Sequence, residues 1–249
     1  ESSTWGVVCP CPAIGRCQRS NRGRQTVIQG RHIPGLLVGA ALLMGAAATH
    51  ASAPVPSFFN TKELQSSDLK AFTKWTGALA RFAEFRKSKK PLVCGPGPGE
   101  VKICGDPEWL AFLKEVKPHN RLDQVRLINA RMNKAKYIQD QSNWGQSDYW
   151  ETPYEFMARF GDCEDYAIIK YLSLRMLGWD EQDLRVVAVK DLNLKVGHAV
   201  LIVYMTAKSG ARIPLLLDNQ IPDVVKASSI RHYQPVFSIN EKNWWRHVN

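Results

Sequence analysis

Beyond residue 53 this chain has only three cysteines, Cys94, Cys104 and Cys163. There is no CxxC pair and no second Cys/His pair, which argues against a structural zinc site. Long apolar segments are also scarce. The one extended run, residues 33–48, spans 16 residues and contains Pro34 and three glycines, short of the roughly 20 needed to cross a bilayer. A basic stripe is missing too. The net charge is +10, but residues 1–53 hold five arginines against a single acid. The remaining lysines and arginines are scattered with no interleaved aromatics, so a nucleic-acid partner is not expected. Internal repeats and low-complexity tracts are absent, which excludes a repeat architecture.

What is present describes an exported globular protein. An apolar fraction of 45% with 10% aromatics is enough for one buried core. Arginine-rich sequence, the short apolar run and the small residues Ala51-Ser52-Ala53 follow one another as in a secretory signal peptide. Pro54 hinders cleavage after Ala53, so a cut after Ala51 competes with it. A retained signal anchor is the alternative. The expected division is a leader over 1–53, long enough to suggest an over-extended start, and one domain over 54–249 located in the periplasm. Cys94 and Cys104 flank the turn-rich Gly95-Pro-Gly-Pro-Gly99 and can close a small disulfide loop in an oxidising compartment. That leaves Cys163 as the odd cysteine.

Periodicity separates two halves. Leu69, Phe72, Trp75, Leu79, Phe82 and Phe85 recur at helical steps and predict an amphipathic helix over 67–88. Asp106-Pro107-Glu108 starts a second helix, closed by Pro118. Leu122, Val125, Ile128 and Met132 mark a third, to about Lys136. An aromatic loop over 143–150 precedes a short helix at 153–159, and residues 162–177 form a longer one stopped by Gly178. The second half turns β-rich, with strands expected over 184–190, 198–206, 212–218 and 233–239, and a hairpin loop at Lys208-Ser-Gly-Ala. Helices followed by a helix that opens onto an antiparallel sheet define an α+β domain.

The chemistry concentrates at Phe160-Gly161-Asp162-Cys163-Glu164-Asp165-Tyr166. With Asp162 as N-cap, Cys163 lies in a first helical turn, where amide N–H groups and the positive dipole end favour a thiolate. A small buried hydrophobe is the competing reading of Cys163, and three flanking carboxylates weaken it. Those carboxylates also oppose a thiolate, so something cationic must offset them. His198 opens a strand after Gly197 and supplies one such group, while Asp218 ends the next strand after three leucines. Singly, His198 reads as a structural histidine and Asp218 as a turn former. If strands 198–206 and 212–218 pair as a hairpin, Asp218 and His198 emerge at one end of the sheet. They then complete a nucleophile, base and orienter with Cys163.

Gly161-Asp-Cys-Glu-Asp-Tyr-Ala167, Gly197-His198-Ala199 and Leu217-Asp218-Asn219 resemble the motifs of the bacterial transglutaminase-like cysteine proteinases, including their periplasmic members that release large adhesins. The similarity runs from about Leu122 to the C-terminus and includes Tyr149-Trp150-Glu-Thr-Pro153. It implies a papain/transglutaminase-like fold, with Cys163 as nucleophile, His198 as base and then acid, and Asp218 as orienter. Calcium is implied beside the nucleophile, held by Asp162 and Glu164; Asp165 is a weaker candidate. Capping and dipole complement are the competing account of these acids. Also implied are a protein substrate, a large surface adhesin cut near small residues, and a receptor of the inner membrane controlled by cyclic di-GMP. Neither the long leader nor the Cys94 and Cys104 pair has a place in the family pattern. Two alternatives stay open: acyl transfer to an amine by the same triad, and a non-catalytic calcium-binding module.

Overall fold

The computed structural model describes residues 57–88, 92–97, 100–104 and 107–248. The leader, its apolar run and the cleavage positions lie outside them. Among the described residues no helix is long and apolar enough to cross a membrane.

The chain opens with strand β1 (Lys62–Ser66), helix α1 (Thr73–Ser88), strands β2 (Leu92–Gly97) and β3 (Glu100–Cys104), and helices α2 (Pro107–Val116) and α3 (Arg121–Met132). The short helices α4 (Asp140–Asn143) and α5 (Pro153–Arg159) then lead into α6 (Cys163–Met176). Strands β4 (Leu184–Asp191), β5 (Val196–Thr206), β6 (Arg212–Leu217), β7 (Val225–Lys226), β8 (Tyr233–Ile239) and β9 (Trp244–Val248) complete it. Seven strands form one sheet in the order β1-β9-β8-β4-β5-β6-β7, antiparallel throughout. With the helices, this is the α+β, papain/transglutaminase-like arrangement.

Strand alternation assigns the two faces. Val186, Leu201, Val203 and Leu217 join a core with Trp75, Trp109, Val125, Ile128 and the apolar residues of α6. Val187, Val189, Val200, Ile202, Tyr204 and Leu216 form a second core with Phe58, Ala227 and Tyr233. Helix α6 is buried from Cys163 to Leu174, as expected of a helix sandwiched between a sheet and other helices. Its C-terminus stops at Gly178, whose φ of +86° suits glycine at a helix end.

Three local readings change. The first helix starts at Thr73, not residue 67, because the Asp68 carboxylate accepts from Lys70 N–H and the Ser66 hydroxyl from Asp68 N–H. Such side-chain turns compete with helix initiation. Residues 95–97 of the expected glycine-rich loop belong to strand β2, which pairs with β3. The pairing sets Cys104 opposite Leu92 and Cys94 opposite Lys102. The two cysteines are thus offset by two positions across the hairpin. Strands β1, β9 and β7 are additions to the expected sheet, β1 and β7 at its edges and β9 between β1 and β8.

Candidate active site

The site is built around the entry to α6. Thr152 caps α5 in a reciprocal capping box with Glu155, and Pro153 occupies the first turn, the sequence signature of a firm helix start. The helix ends at Phe160, whose φ of +60° is a backbone conformation that non-glycine residues rarely adopt. Asn143 donates to the Phe160 carbonyl at 2.7 Å and holds this turn in place. Gly161 follows, and a Cβ there would lie 2.2 Å from Asp165 Oδ2. Only glycine lets that carboxylate close back over the turn. Asp165 accepts from Asp162 N–H at 3.1 Å and from Glu151 N–H at 2.8 Å. One side chain thereby satisfies an orphan amide of α6 and ties the preceding loop to it.

Cys163 is the first residue of α6 and is buried, packed with Ala199 and Tyr137. Glu164 Oε2 lies 3.2 Å from its sulfur. Ala199 is the neighbour of His198 on β5. Strands β5 and β6 pair with Leu201 opposite Leu217, which brings the end of β6 beside the start of β5. There His198 Nε2 meets Asp218 Oδ1 at 2.9 Å, both side chains fully buried. Asp218 is held further by the Tyr233 hydroxyl, donating to Oδ2 at 2.7 Å, and by Gln220 N–H, donating to Oδ1 at 2.8 Å. Burial pushes the Asp218 carboxyl up, but His198, Tyr233 and Gln220 outweigh it and hold the group below its ordinary value. An ionised Asp218 can only accept, so neutral His198 carries its proton on Nε2. Nδ1 is the nitrogen left to take a thiol proton. Lys170, buried in the same helix, is pushed down to about 7 by burial, with the charge of Asp218 acting against the shift.

The acids around the nucleophile are more numerous than the sequence reading held. Ligand atoms of Asp140, Asp148 and Glu164 lie within 4.8 Å of one another, as do those of Asp140, Asp162 and Asp165, and of Asp162, Cys163 and Glu164. Burial, then the charges of Asp162 and Asp148 beside it, raises Asp140 to about 7. Glu164 is raised well above its usual range by burial first and by Asp162 and Asp165 next. The buried oxygens Asp140 Oδ1, Asp162 Oδ1 and Glu164 Oε1 have no hydrogen-bond partner. Converging hard oxygens without donors fit a divalent cation, calcium above all. Asp165 is a poorer ligand, because both its oxygens already accept backbone N–H groups. Asp140 and Asp148 were not legible as ligands, since they lie 22 and 14 residues before Asp162, one at the start of α4 and the other in the aromatic loop. Tyr233 read only as the start of a strand.

The bacterial transglutaminase-like cysteine proteinase family matches residues 111–249. The chain belongs to that family. It is a cysteine protease, and its site sits in the matched part. Among solved structures, Legionella pneumophila LapG is 34% identical over 55% of this chain and 75% of that one, with a TM-score of 0.49. The same figures hold for a structure described as calcium-bound. An EGTA-treated structure of LapG is 33% identical over 57% of this chain and 75% of that one, with a TM-score of 0.50. No curated protein matches the chain.

Proposed function

We propose that this protease cuts peptide bonds with Cys163, His198 and Asp218, and that the cut depends on calcium held by Asp162 and Glu164 with Asp140 and Asp148. The buried Asp218–His198 Nε2 contact carries the reading, because it leaves Nδ1 for proton transfer at the end of the sheet where α6 begins. In the reduced protein, Nδ1 takes the Cys163 proton and the thiolate adds to the scissile carbonyl. The Cys163 N–H, at a helix N-terminus, supports the resulting oxyanion. His198 returns the proton to the leaving amine, then removes one from the water that hydrolyses the thioester. Calcium, when bound, offsets the carboxylate field that otherwise opposes the thiolate.

The substrate we propose is the membrane-proximal N-terminal region of a large surface adhesin, cut near small residues such as Ala-Ala in the periplasm, so that cleavage controls biofilm attachment. An inner-membrane receptor controlled by cyclic di-GMP would sequester the enzyme. The motif resemblance supports these assignments. The test is incubation of the reduced mature protein with the N-terminal segment of a candidate adhesin, with and without EGTA. Calcium-dependent fragments are expected. Incorporation of a fluorescent amine into a glutamine donor, with no fragments, would instead make the reaction acyl transfer.

Tyr233 gives a second test. Tyr233→Phe removes the hydroxyl that satisfies Asp218 Oδ2 and leaves a buried acceptor without its donor. We expect kcat/KM to fall about tenfold and stability by about 1–3 kcal/mol. An unchanged kcat/KM, with the melting temperature lowered, would take Asp218 out of the working set.

A further inference from the structure

Leu192 and Leu194 stand in the β4–β5 loop, the segment that delivers His198, and are 47% and 46% exposed. The loop is tied down with both side chains outside. Asp191, itself buried, accepts through one oxygen from Asn193 N–H at 2.8 Å and Leu194 N–H at 3.0 Å. Leu192 N–H donates to the His232 carbonyl at 2.8 Å, and Lys195 turns the chain with a φ of +59°. A single exposed leucine means little. Two of them, held two residues apart on a fixed turn, make a preorganised apolar ridge. The ridge lies at the end of the sheet where α6 begins, because Val189 pairs with His198 and Asp191 with Val196. At about 3.3 Å per strand residue, Leu194 is within about 13 Å of His198, the reach of about four residues of extended substrate. The exposed charged residues of the loop and of the segment bonded to it, Lys190, Lys195 and Arg231, are all cations.

We propose that this ridge docks the polypeptide substrate. Leu192 and Leu194 take an apolar side chain, and Lys190, Lys195 and Arg231 the acidic residues beside it, about three to five positions from the scissile bond. The inference rests on the triad reading given above, which places the cut at Cys163 and His198. It adds a remote requirement to the small residues at the cut, so that binding energy gathered away from the bond helps to hold the bond in place. A second copy of this chain is the poorer occupant, because a two-fold contact through the ridge would set its cations against one another.

The experiment is cleavage of a tryptic peptide library from a bacterial proteome by the full chain in calcium, with the new termini read by mass spectrometry. Cut peptides should be enriched in leucine, isoleucine, valine, phenylalanine or methionine, accompanied by aspartate or glutamate, on one side of the bond at that spacing. Leu192→Ser with Leu194→Ser should erase the apolar preference. It should lower kcat/KM about tenfold, through KM, on peptides that carry the feature and leave peptides without it unchanged. Lys195→Glu should weaken the acidic preference alone. Three results would overturn the proposal: no apolar enrichment with the wild type, enrichment that persists in the double serine variant, or an equal loss on every peptide, which would make the loop a support for His198. A dimer in light scattering that the serines dissociate, with the cleavage profile intact, would give the ridge to a second copy and overturn it as well. Cleavage that survives Cys163→Ala would remove the triad reading, and substrate docking beside it.

Discussion

Replacing Cys163 by alanine is expected to lower kcat/KM by at least about a thousandfold, because it removes the sulfur that forms the thioester. The fold should survive. Cys163 contributes a small side chain to a minor cluster with Ala199 and Tyr137, and alanine suits the first turn of a helix. Circular dichroism and the melting curve of the variant should therefore match those of the wild type. His198→Ala should cost nearly as much, and the double variant little more than either single one, since members of a catalytic unit are not additive. Asp218→Asn should keep more activity, because an amide can still orient the ring although it cannot stabilise imidazolium. Cleavage within tenfold of wild type by the Cys163→Ala enzyme would show that the sulfur is not the nucleophile.

Chelation should be nearly as damaging. Asp140, Asp148, Asp162 and Glu164 crowd one buried region, and such carboxylates stay ionised together only beside a cation. EGTA should abolish most activity. Calcium should restore it where magnesium does not, because magnesium demands smaller, near-octahedral coordination. The dependence on pH has a definite sign. Asp140 is raised from an ordinary 3.8 to about 7, so the calcium-free folded chain binds that proton more tightly than the unfolded chain. Its contribution to stability is present at low pH and is lost as pH rises through about 7. In EGTA the melting temperature should fall between about pH 4 and about pH 7, and saturating calcium should remove that fall. Asp162→Ala and Glu164→Ala should lose both activity and the stabilisation by calcium, worth about 2.7 kcal/mol at a hundredfold excess over Kd. If the acids serve only as caps, Asp162→Ala costs about 1 kcal/mol, and calorimetry at millimolar calcium shows no binding.

The parts of the fold legible in the sequence are those with strong local signals. Pro153 with the Thr152 and Glu155 capping box marks α5, and Asp162 with Gly178 brackets α6. The alternation and β-branched content of β4, β5, β6 and β8 mark the centre of the sheet. Strand β1 escaped because Lys-Glu-Leu-Gln-Ser carries no alternation and becomes a strand only by pairing with β9, from Lys62 opposite Val248 to Ser66 opposite Trp244. A pairing across most of the chain leaves no mark in a local window.

The same division runs through the site. By themselves, the residues of the Gly161–Ala167 motif, Gly197-His198 and Leu217-Asp218 determined the reaction class and its candidate nucleophile, base and orienter. Each lies at the start or end of an element whose boundaries are written locally. Tertiary structure decided the rest. It selected Nε2 as the nitrogen facing Asp218, enclosed that carboxylate with Tyr233 and Gln220, and brought Asp140 and Asp148 to Asp162 and Glu164. Those contacts depend on where loops and strand ends meet once the sheet and α6 have packed, and neither spacing nor periodicity encodes a meeting point between segments that the chain holds apart.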